Sequence, residues 1–64
     1  MTIEEITSLI AEVVRKARDH ECFGVKLAER PDEELRHGFH TSYEEMIESQ
    51  NTLIEAIKQY KEQK

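Results

Sequence analysis

Acidic residues open and basic residues close each of the two long helical stretches in this chain. That ordering restricts how the chain can fold. In the first stretch Glu4 and Glu5 come early and Arg15, Lys16 and Arg18 late. In the second, Glu44, Glu45 and Glu48 come early and Lys58, Lys61 and Lys64 late. Each gradient complements its own helix dipole, and two such helices attract when antiparallel and repel when parallel. The pattern predicts an all-α fold, an antiparallel two-helix hairpin.

Apolar spacing sets the expected boundaries. Thr2 and Glu5 form a Thr-x-x-Glu capping box, with Met1 placed to pack on Ile6 as a staple. Ile3, Ile6, Ile10, Val13 and Ala17 recur at three- and four-residue intervals, widened by Leu9 and Val14. The first long helix is expected over about residues 2–22, with Gly24 able to terminate it. Residues 24–40 read as a connection. Pro31 suits the first position of a short helix reaching His37, Asp32 and Arg36 make a surface pair, and Gly38 serves as a left-handed cap. The second long helix is expected over about residues 42–62, capped by Thr41 or Ser42. Its apolar face is Tyr43, Met46, Ile47, Leu53, Ile54, Ile57 and Tyr60, with Gln50 near the middle. The closing Lys61-Glu62-Gln63-Lys64 is expected to fray.

Both apolar arcs span roughly 140°, wider than one neighbouring helix covers. A single domain of 64 residues is also marginal by itself and usually needs a disulfide, a metal or another chain. Cys22 is the only cysteine, so no disulfide forms within the monomer. The expected solution is a homodimer closing into a four-helix bundle, with residues 24–40 over its ends. Ile6, Ile10, Val13, Ile47, Gln50, Ile54 and Ile57 are its expected interface. Gln50 would act as a register device, a buried amide pairing with its symmetry mate, or would reach water at the rim.

Three groups of residues carry other possibilities. His20, Cys22, His37 and His40 supply the nitrogen and sulfur ligands that zinc prefers, although the first pair points apart on a helix. Arg36, His37, Phe39, His40, Thr41, Ser42 and Tyr43 lead into the expected start of the second long helix. Free amides, hydroxyls, a guanidinium and stacking rings there would suit a phosphate or a nucleotide. Glu44, Glu45 and Glu48 oppose such an anion. Phe23, Val25, Leu27, Leu35 and Phe39 form an apolar patch of the kind that marks a partner site when uncovered. Tyr43 and Tyr60 are the aromatic anchors of a protein contact.

Other classes fit poorly. The net charge of −5 and the acidic flanks of Arg15, Lys16 and Arg18 argue against nucleic acid. The acidic cluster at Glu44 does not converge with Glu4 and Glu5 to hold magnesium. Cys22 with a histidine lacks the chain needed for an oxyanion hole and a cleft, so the chain is not expected to be an enzyme or to need a cofactor. Met1-Thr2-Ile3-Glu4-Glu5 lacks the basic region of a signal peptide, and no apolar run approaches spanning length. A lone thiol suits a reducing compartment, so a cytoplasmic setting is expected. The leading expectation is a small regulatory or inhibitory protein-interaction module. The alternatives are a module that binds or sequesters an anion or nucleotide, and a metal-binding helical protein.

Overall fold

The computed structural model describes residues 1–63; Lys64, the last charge of the second gradient, lies outside them. Two α-helices, α1 (Ile3–Glu29) and α2 (Glu33–Glu62), make up the described chain, with no strand. They pack along their lengths as an antiparallel hairpin 50 Å long and 15 by 12 Å across.

The start of α1 follows the capping box. Thr2 is extended, and its hydroxyl oxygen accepts from the Glu5 amide at 3.1 Å. The turn is far shorter than residues 24–40. Arg30, Pro31 and Asp32 make the whole connection, and no separate short helix lies between α1 and α2. Proline disfavours the helical region for the residue before it, and Arg30 is extended at φ −147° and ψ 93°. Asp32 then caps α2, accepting from the Glu34 amide at 2.8 Å. Pro31 therefore precedes the cap instead of opening a helix. Glu33 and Glu34 supply the acidic first turn of α2, and Lys61 the basic last turn. Residues 61 and 62 are helical, with Gln63 as C-cap.

The two glycines are not helix ends. Both sit inside helices, and neither has a positive φ. A Cβ on Gly24 would stand 3.3 Å from the Phe39 ring, and one on Gly38 only 2.5 Å from the Phe23 ring. Each glycine makes room for a ring on the opposite helix, so tertiary packing outweighs the local stop signal. Thr41 and Ser42 likewise lie well within α2. The Ser42 hydroxyl donates to the Phe39 carbonyl at 2.9 Å, a bond inside the helix.

These contacts set the register: Lys16 meets Glu45, His20 meets Ser42, Phe23 meets Gly38, and Gly24 meets Phe39. The shielded residues of α1 include Ile6, Leu9, Val13, Lys16, His20, Phe23 and Leu27. Those of α2 include Leu35, Phe39, Ser42, Met46, Ser49, Leu53, Ala56 and Tyr60. Both series alternate steps of three and four, the spacing of a coiled-coil seam. Large residues on α1 face several small ones on α2, among them Ser42, Ser49 and Ala56. Among the described residues only Ala56 and Ser42 are buried, and no large side chain is fully enclosed.

Candidate interaction surface

Heptad geometry gives the hairpin two unlike flanks. In an antiparallel pair, the residues that directly follow the second member of each three-step pair fall on one shared side of the seam. On α1 this side carries Ile3, Ile10 and Ala17, with Val14 one turn outward. On α2 it carries Tyr43, Gln50 and Ile57, with Ile47 and Ile54 outward of them. Among the described residues, Ile3, Ile10, Val14, Tyr43, Ile54 and Ile57 all stand exposed on it, from 37% for Ile57 to 59% for Ile3. The other exposed large apolar residue, Val25, is alone on the back of α1.

The opposite flank is charged. Glu5, Glu12 and Asp19 of α1 share it with Glu45, Glu48 and Glu55 of α2. Lys16 extends from the seam and meets Glu45 at 3.2 Å, while Arg15 meets Glu12 at 2.6 Å. The Lys16–Glu45 bridge ties the middle of α1 to the middle of α2, because α1 runs on to Glu29 and α2 begins at Glu33. Exposed pairs of this type stabilise by only about 0.2–1 kcal/mol, so they select orientation more than they hold the fold.

The expected interface residues divide between the two environments. Ile6 and Val13 lie in the seam within one hairpin, whereas Ile10, Ile47, Gln50, Ile54 and Ile57 lie on the outer flank. The expected partner patch does not form. Phe23, Leu27, Leu35 and Phe39 are taken up between the helices, because continuous helices carry them into the seam, and Val25 is left by itself.

The anion site also loses its basis. Residues 36–43 are inside α2, where backbone amides are engaged in the helix, and the true α2 start at Asp32 is capped by a carboxylate. Arg36, His37 and His40 are exposed along the helix, and Thr41 is half-buried. His40 points at Glu44, with Nε2 3.0 Å from its carboxylate. A depression of about 720 Å³ is an open groove along α2 from Tyr43 to Gln59 that reaches Met1 and Leu9. Glu44, Glu48 and Glu55 line it and repel an anion.

The four zinc-ligand candidates do not gather. His20 is in the seam, Cys22 is exposed on the charged side, and His37 and His40 stand outward on α2. No group of three or more His, Cys, Asp or Glu side chains positioned for a metal occurs among the described residues. His20 has a packing role instead. Its Nδ1 is 3.1 Å from the Ser42 hydroxyl oxygen. The single Ser42 proton goes to the Phe39 carbonyl, so Nδ1 carries a proton and donates to Ser42. The ring lies against Phe39 and Tyr43, with centroids 4.4 and 5.4 Å away.

No described helix is long and apolar enough to cross a membrane. Comparison of the chain with protein-family models, curated proteins and solved structures finds no match. The outer apolar flank is thus the feature with the clearest physical demand. One signal for it was readable beforehand: Tyr43, Ile47, Gln50, Ile54 and Ile57 form a four-three-four-three series of their own, displaced from the seam series.

Proposed function

We propose that this chain is a protein-interaction module that works as a homo-oligomer, a dimer of hairpins closing into a four-helix bundle. It would regulate or inhibit a partner protein by presenting a rigid, acidic helical surface. A reducing, cytoplasmic setting suits its exposed thiol. We assign it no catalytic role.

The observation that carries this reading is the exposed flank of Ile3, Ile10, Val14, Tyr43, Ile54 and Ile57 on a hairpin with almost no buried core. Its accessible surface is 5071 Å², whereas a folded monomer of 7.5 kDa exposes about 4,200 Å². The excess of roughly 800 Å² equals what each partner buries in a standard protein interface. Covering the apolar flank with a second copy leaves the carboxylate-rich flank outward for other macromolecules.

Sedimentation equilibrium from 1 to about 200 µM tests self-association, with a dimer expected throughout most of that range. A folded monomer at the highest concentration rejects the proposal. Affinity purification from native lysate, followed by mass spectrometry, tests the partner. Recovery should be lost with Glu45→Lys/Glu48→Lys and kept with a substitution on the back of α1.

A further inference from the structure

We infer that the second copy seats with its turn at the opposite end, α2 lying antiparallel on α2 about a two-fold axis beside Gln50 and Asn51. This deepens the proposed homodimer and rests on it.

The apolar flank is almost symmetric about that point. On α2, Tyr43 and Ile47 precede Gln50, and Ile54 and Ile57 follow it at nearly mirrored intervals. Rotation about the axis lays Ile47 beside Ile54 of the second copy. It also brings the two Gln50 side chains within reach of each other, so each amide finds a partner as it leaves water. The bordering positions are Glu44, Asn51 and Lys58, one heptad apart. An antiparallel partner puts Glu44 opposite Lys58 of the second copy on both sides of a central Asn51 pair. A parallel partner puts like charge on like charge. Glu44 and Lys58 lie on intrachain ion pairs with His40 and Glu55, yet their side chains remain 66% and 64% exposed, open to a second contact.

A dimer with both turns at the same end is the main competitor. It lays α2 on α1 of the second copy, which sets the Gln50 amide against Ile10 and Val14. An unpaired amide in apolar surroundings is costly. That dimer also stacks the turn-proximal part of the flank, with Glu21, Arg36 and His40, into the interface. The inferred dimer leaves those three in water and covers the apolar half with itself.

Single cysteines in a Cys22→Ser background test the geometry. Asn51→Cys should form a disulfide-linked dimer in high yield on mild oxidation. Glu44→Cys should not, because its two copies stand about 21 Å apart along the axis and a disulfide requires close Cα atoms. Charge reversal gives a second readout. Glu44→Lys should weaken dimerisation about tenfold, as two repulsions replace two ion pairs. Adding Lys58→Glu should restore it to within about threefold. A dimer that cross-links through Glu44→Cys, or that fails to cross-link through Asn51→Cys, overturns this geometry and leaves self-association standing. A monomer by sedimentation overturns both.

Discussion

The half of the hairpin next to the turn and the half next to the termini solve the same packing problem differently. Near the turn, Phe23 lies against Gly38 and Phe39 against Gly24, with His20 stacked on Phe39 and bonded to Ser42. Rings set against missing side chains shield one another within a single chain, and on the outer flank there Tyr43 is accompanied by the polar Glu21, Arg36 and His40. Near the termini the seam closes on Ala56, with small side chains in place of stacked rings, and Ile3, Ile10, Val14, Ile54 and Ile57 remain outside it. Two helices have enough shared surface to satisfy one half and not the other. The lesson is that a hairpin's dependence on a second chain can be local.

The largest expected effect is at the dependent half. Ile54→Glu should raise the dimer dissociation constant at least a hundredfold, since it puts two carboxylates, one from each copy, into the apolar contact. Sedimentation would read this. An unchanged dimer would mean that the flank is not the contact. Next comes Gly38→Ala, which drives a Cβ into the Phe23 ring. Overpacking costs about 1–3 kcal/mol and helix propensity returns about 1 kcal/mol, so a net loss of about 1 kcal/mol is expected in a urea melt. Gly24→Ala places its Cβ 3.3 Å from the Phe39 ring, a tight contact that a ring shift of a few tenths of an ångström relieves, so its effect should be smaller, within about 0.5 kcal/mol of zero. If both glycines respond alike, the ring-against-glycine account of the turn half fails.

A comparable loss of about 1 kcal/mol is expected for Asp32→Ala, which removes the α2 cap. The smallest effect belongs to Glu45→Gln, a few tenths of a kcal/mol that disappear in high salt. Hydrogen exchange would sharpen the contrast directly. Amide protection near Ile10 and Ile54 should rise with protein concentration, and protection near Phe23 and Phe39 should rise much less.

Much of this was legible in the residues themselves. The Thr2 cap, the apolar stripe of α2, the all-helical hairpin and its antiparallel sense follow from local spacing and charge order. The middle of the chain was not legible, for a physical reason. Gly24 and Gly38 look like stops, and Thr41 and Ser42 like caps, when only near neighbours in sequence are considered. Their roles depend on rings and an imidazole on the other helix. Asp32 caps α2, although its spacing to Arg36 suggests a surface pair when Pro31 is read as the first residue of a helix and not as the residue ahead of the cap. The outer flank could be anticipated as excess apolar width. Which isoleucines fell inside or outside, such as Ile6 against Ile10, needed the register.

The reciprocal seating of Phe23 and Phe39 has a mechanical consequence. A slide of one helix by a heptad would bring Phe23 from Gly38 to Glu45 or Pro31, where no recess receives it. The rings therefore act as a pair of pegs that forbid slippage, and they fix how the far ends of the two rods line up about 30 Å away.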